Sequence, residues 1–541
     1  MIRIARLLLL LGSLVLLAVA QGPQLQTTNS IVTGAEHDVN GKKVEVFYGV
    51  PYAKPPIGMY RFGLAGMPST KPSHQIDGTV KPPACWQLNS TDLDGLREPI
   101  PVTEMSEDCL YLNIWRPKTT PGIKKKIMVW IHGGGFMTGS AVLDAYEGSE
   151  LAAREDVILI TIAYRLAALG FMYVDGLMQG NFGLFDQFIA LTWINMNAGN
   201  IGGTKGDITI FGQGAGAASV GFHLLFQTSK SLFSTAIMQS GSPFAPWATM
   251  GKTKATARTT QMVESLGCKG PFDVMKLYNC LRPLSAQELN DALAQIKHDR
   301  FELPIAPIID RFLFRNDPRD TLKNGAAKLT SVIIGVNKNE GILAGVSGFK
   351  EELALEKKGK LSKKKEFRTM ILSIAHNDTT LQTKLMKQYH REHVMKNRRL
   401  EIVDASIGDL LYKCPMLDFA REYTKQGGKV YMYSFEERFK SNPSPEWMGV
   451  PHGSEVEVAF GATMKDNSAS SSDDKASTQM LMALWTSLAK TGKPSFLGIG
   501  WPLFTLQDEE YLEIGGGGMS TENHLRQKTC ALWHAFEESN P

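Results

Sequence analysis

The sequence predicts an α/β fold, with a central, mostly parallel sheet and helices on both faces. Short apolar, β-branched runs at 127–131, 157–163, 208–211, 236–238, 332–335 and 430–433 read as strands. Helical patterns at 183–195 and 481–488 fall between several of them. Strands that alternate with helices build a doubly wound parallel sheet. The basic stretch 357–365 and the Ser/Asp-rich stretch 465–477 are expected to be surface loops.

The most telling stretch runs from Ile208 to Ser219. A strand pattern ends in Gly212-Gln213-Gly214-Ala215-Gly216, and a small-residue helix pattern follows. This is the context of the nucleophile elbow G-x-S-x-G, where a serine sits on a sharp strand-to-helix turn. The outer glycines stand at the required places, since the turn leaves no room there for side chains. The central position carries Gly214 instead of serine. The same residues also fit a dinucleotide fingerprint, which requires an acidic residue about 20 positions on. The next strand pattern ends in Gln239-Ser240-Gly241 and supplies none.

Composition bounds the class. The chain has 541 residues, 43% apolar and 21% charged, with a formal net charge of +4. That suits a large globular protein and gives no overall argument for nucleic acid. Arg3 and Arg6 precede an apolar run over 7–17, and Ala18-Val19-Ala20 has the form of a leader-peptidase site. Residues 1–20 are therefore expected to be a signal peptide, and residues 21–541 a secreted, extracellular domain without a membrane span. Six cysteines, Cys85, Cys109, Cys268, Cys280, Cys414 and Cys530, fit disulfides in that compartment. Their number leaves fifteen pairings open. Neither a C-x-x-C pair nor a histidine cluster accompanies them, so no metal or other cofactor is expected. Asn89 and Asn377 head glycosylation triplets.

Three further stretches carry chemistry. His132-Gly133-Gly134-Gly135-Phe136 follows a strand, and consecutive glycines let backbone N–H groups converge as in an oxyanion hole. Glu340 falls just beyond a buried-type strand, and His452 lies in a loop before a helical pattern. The order of nucleophile position, acid and histidine is that of the α/β-hydrolase fold.

With these residues in view, the chain resembles the type-B carboxylesterases, and among them it is most similar to cholinesterases. Gly49-Val50-Pro51-Tyr52-Ala53 and Ser106-Glu107-Asp108-Cys109-Leu110-Tyr111-Leu112-Asn113 resemble two family signatures. Gln239-Ser240-Gly241-Ser242-Pro243, Ala245-Pro246-Trp247-Ala248 and Trp447-Met448-Gly449-Val450-Pro451-His452-Gly453 look like cholinesterase in particular. The resemblance implies an α/β-hydrolase fold and the pairs Cys85–Cys109, Cys268–Cys280 and Cys414–Cys530. It also implies Glu340 and His452 as triad acid and base, and Gly134, Gly135 and Ala215 as oxyanion donors. Trp247, with Phe136 and Gln213, would line the pocket. Two departures stand out. Gly214 occupies the nucleophile's place, with Gln213 for the usual glutamate, and Pro99 falls where a choline-stacking tryptophan is expected.

Loss of the serine points to a catalytically inactive homologue acting as a binding or adhesion-type protein, as the neuroligins do within this family. The other class is a carboxylic ester hydrolase with residual or altered activity. Candidate partners are an extracellular protein, an acidic glycan facing the lysines of 357–365, or a small ester-like ligand. The alternative for those lysines is a solvated loop.

Overall fold

The computed structural model describes residues 22–539 apart from 70, 72, 89–102, 119–121, 350–363, 393–397, 441 and 466–469. The leader and its cleavage site, Asn89, Pro99, and the lysines at 357, 358, 360 and 363 lie outside the described residues.

One eleven-stranded sheet organises the rest. Its strands in chain order are β1 (Ala35–Val39), β2 (Lys42–Pro51), β3 (Tyr111–Pro117), β4 (Ile127–Ile131), β5 (Ile158–Ile162) and β6 (Ile208–Gln213). They continue as β7 (Thr235–Gln239), β8 (Ser331–Asn337), β9 (Lys429–Phe435), β10 (Glu510–Gly515) and β11 (Gly518–Asn523). Across the sheet the order is β11-β10-β9-β8-β7-β6-β4-β5-β3-β2-β1. From β10 to β5 every neighbour is parallel, while the strands at the two edges pair antiparallel. All six expected strands are present.

Side chains on a strand alternate between faces, and the two cores follow that alternation. Ile127, Val129, Ile208, Ile210, Ala236, Met238, Val332 and Ile334 enter one buried cluster. Met128, Trp130, Phe211, Ile237 and Ile333, the residues between them, enter the other. Helices α1 (Phe182–Ile201) and α2 (Ala215–Leu225) cover the first face. Helix α5 (Ser472–Thr491) covers the second with Leu481, Leu484, Trp485 and Leu488. A mostly parallel sheet with helices on both faces is thus the observed architecture, and it is that of the α/β-hydrolase fold.

Both loop expectations need correction at the residues the structure describes as helix, 364–365 and 472–477. Residues 472–491 form α5, which starts at a capping box in which Ser471 and Asp474 bond each other's backbone. The Ser/Asp composition read as a loop is the composition of a helix start. Lys364 and Lys365 open helix α3 (Lys364–Ile374), which is followed by α4 (Thr379–Glu392). Phe367, Met370, Ile371 and Ile374 anchor α3 at helical spacing. Among the described residues no helix is long and apolar enough to cross a membrane.

All six cysteines are paired, Cys85–Cys109, Cys268–Cys280 and Cys414–Cys530. These are the pairs the resemblance implies.

Candidate active site

The parallel strands end together. Gly212 pairs with Met238, Gln213 with Gln239, and Gln239 with Gly335, so the loops after β6, β7 and β8 leave one edge of the sheet. Ligands of open α/β sheets bind outside this carboxyl edge.

At the end of β6 the chain turns within one residue. Gly214 has φ 56° and ψ −120°, and α2 begins at Ala215. The flanking glycines are required by close approach. A Cβ on Gly216 would lie 1.9 Å from the Ile131 carbonyl oxygen, and one on Gly212 2.6 Å from the same atom. A Cβ on Gly214 would instead point at His452, 3.1 Å from its Nε2. The elbow therefore aims its central residue at the histidine, and that residue has no side chain.

Glu340 follows β8 and is 1% exposed. Its Oε2 lies 2.6 Å from Nδ1 of His452. Its Oε1 accepts from the Ser240 hydroxyl at 2.6 Å and the Asn337 amide at 2.5 Å. Burial pushes the Glu340 carboxyl up, but His452 and these two donors outweigh it and hold the group below the usual carboxylate range. The loop bearing His452 is held by residues beside Glu340. Asn337 donates to the Pro451 carbonyl at 3.0 Å, and Asn339 accepts from the Val450 amide at 2.9 Å. Burial of Asp404 raises its carboxyl to about 6 against the pull of Lys413 and of the Asn339 amide, which donates to it at 2.7 Å.

Gln213 completes the arrangement. Its side-chain amide nitrogen lies 2.7 Å from His452 Nε2, so Nε2 accepts and Nδ1–H faces Glu340. The Tyr412 ring covers the imidazole at 4.4 Å, and Trp247 lies 6.0 Å beyond Tyr412. The Trp247 indole N–H donates to the Leu411 carbonyl at 2.9 Å. Phe136 is fully buried against Phe171 and Trp247, so Trp247 and Tyr412 hold what little surface this aromatic group presents.

The glycine loop after β4 packs on the elbow. A Cβ on Gly133 would meet Gln213 O and Oε1 at 2.8 Å. Gly134 and Gly135 have φ of 97° and 60°. The amides of Gly134, Gly135 and Ala215 have no hydrogen-bond partner among the described residues. His132 is no base here: burial lowers it to about 4, and its Nδ1 bonds the Gly133 carbonyl.

The structure thus brings Gly214, Glu340, His452 and Gln213 together, with the Gly133–Gly135 loop against them. Sequence reasoning missed three partners. Ser240 carries no signal beyond its place after β7, Tyr412 lies on a π-helical turn (Asp409–Lys413), and the Gln213–His452 contact spans 239 residues. Among the described residues no group of three or more His, Cys, Asp or Glu could hold a metal ion. Asn377 is exposed between α3 and α4.

A model of the carboxylesterase family matches residues 21–533. The chain is similar to an acetylcholinesterase of Bungarus fasciatus, 36% identical over 534 residues, which is 95% of this chain and 86% of that protein. It is also similar to an acetylcholinesterase of Danio rerio, 33% identical over 545 residues, covering 91% and 84% of the two chains.

Proposed function

Because the chain belongs to the carboxylesterase family, we propose that it is a cholinesterase-like member with a silent hydrolytic centre, acting by binding rather than turnover. In this reading Glu340 and His452 are the remnant acid and base, and Gly134, Gly135 and Ala215 the remnant oxyanion donors. The observation that carries it is Gly214 at the elbow, aimed at a His452 whose Nε2 is already bonded to Gln213. Loss of the serine from such a triad costs roughly 10⁶-fold in kcat, about 8 kcal/mol of transition-state stabilisation. What the oxyanion donors and binding supply alone is roughly 10³–10⁴-fold over water.

The second reading, hydrolysis by an altered route, needs His452 to take a proton from water at Nε2. The Gln213 amide stands at that atom as a donor, which favours the silent reading. Three disulfides fit an oxidising compartment. With the leader-like residues 1–20, they support extracellular action. Partners of such a protein are an extracellular protein or acidic glycan, and a small ester-like ligand is the natural occupant beside Trp247 and Tyr412. Glycans on Asn89 and Asn377 belong to the same reading.

Incubation with an organophosphate followed by intact mass measurement tests the proposal. No adduct dependent on His452 is expected. An adduct on the wild-type protein that disappears in His452→Ala overturns it.

A further inference from the structure

We propose that the solvent face of the α3–α4 hairpin is a binding site for a sulfated polysaccharide. Helix α3 exposes Lys364, Lys365 and Arg368, and α4 exposes Lys384, Lys387 and Arg391. Burial of Phe367, Met370 and Ile371 on α3, and of Leu381, Leu385 and Tyr389 on α4, fixes these cations outward. The hairpin, residues 364–392, holds six Lys or Arg and three acids, Glu366, Asp378 and Glu392. Their net charge of +3 compares with +4 for the entire chain. Among the described residues none of the six cations has an ion-pair partner. The Asp378 carboxylate is engaged by the Thr380 and Leu381 amides.

The α3 cations also border a groove. An open trough of about 440 Å³ is lined by Lys364, Lys365, Arg368, Thr369, Leu372 and Gln382. The Gln382 side chain bridges its walls by donating to the Arg368 carbonyl at 2.7 Å. A cation-lined trough suits a linear polyanion, whose anionic groups meet ammonium and guanidinium donors along its length. Three disulfides decide between the sources of such charge. They fit an oxidising compartment, whereas anionic lipid faces the cytoplasm. Of these two sources, a sulfated glycan is the one that shares that compartment, and its linear form matches the trough.

This inference rests on the binding reading above, yet its test is independent of ester chemistry. The full mature chain is run on a heparin column and titrated with a heparin octasaccharide at several salt concentrations. The variant is Lys364→Gln/Lys365→Gln/Arg368→Gln. Its control is Lys276→Gln/Lys429→Gln/Lys475→Gln, which removes three exposed lysines elsewhere. Wild type and control are expected to bind alike. The groove variant should lose about tenfold or more in affinity, with a salt slope shallower by roughly one per contact removed. All six positions are exposed, and unchanged thermal melts establish that each variant is folded. Equal losses in both triple variants, no binding by wild type, or binding to phosphatidylserine vesicles without binding to heparin overturns the proposal. Ester turnover by the wild type would overturn the silent centre and leave the glycan site standing.

Discussion

The side-chain amide of Gln213 bonds Nε2 of His452 at 2.7 Å, on the side of the ring that a nucleophile's hydroxyl would use. The ring also stands close to the elbow, with a Cβ on Gly214 only 3.1 Å from the same nitrogen. A serine placed at 214 therefore meets a histidine whose Nε2 is already bonded.

Gly214→Ser alone should react with an organophosphate more slowly than Gly214→Ser/Gln213→Glu. A carboxylate cannot donate to Nε2 as the amide does. The expected difference is at least about tenfold in labelling rate, the size of a general-base contribution at its low end. Equal rates contradict the amide block. Both variants should lose about 1–3 kcal/mol of stability, because a non-glycine residue at φ 56°, ψ −120° is strained. Urea denaturation measures that loss.

Ser240→Ala should destabilise the fold by about 1.5–3 kcal/mol, the range for a hydrogen bond to a charged group. The hydroxyl donates at 2.6 Å to a Glu340 carboxylate that is buried and held ionised. Alanine leaves that oxygen with the Asn337 amide and removes a counterweight to burial. A loss below about 0.5 kcal/mol in urea would show that the bond is energetically idle.

Asp404 gives a pH signature. Its carboxyl is raised by burial from 3.8 to about 6, so between those values the folded chain binds more protons than the unfolded chain. Its contribution to unfolding free energy therefore falls as pH rises through that window, by about 3 kcal/mol in all. Asp404→Asn should remove this fall and gain stability at pH 7.5 relative to pH 4.5. Glu340, whose lowered pKa acts in the opposite sense at lower pH, is present in both proteins. Urea midpoints at the two pH values, measured for both proteins, check it. Parallel midpoints contradict the assignment.

How legible the molecule is from its sequence follows from the range of each interaction. Strand β6, the elbow and α2 are readable because periodicity and the close approach of Gly212 and Gly216 act within a few residues. The bonds from Gln213 to His452 and Ser240 to Glu340 are not, since they span 239 and 100 residues and follow from strand order alone. At 364–365 and 472–477 composition misled, because serine and aspartate that cap a helix start also make up loops. The apolar spacing of Phe367, Met370, Ile371 and Ile374 was the better signal.

The most direct measurement is the hydrolysis of a short aryl ester and a thiocholine ester by purified wild-type protein, beside its own His452→Ala variant. The silent-centre account predicts the same rate for both, with Gly214→Ser/Gln213→Glu exceeding them. Wild-type turnover that falls with His452→Ala would contradict it.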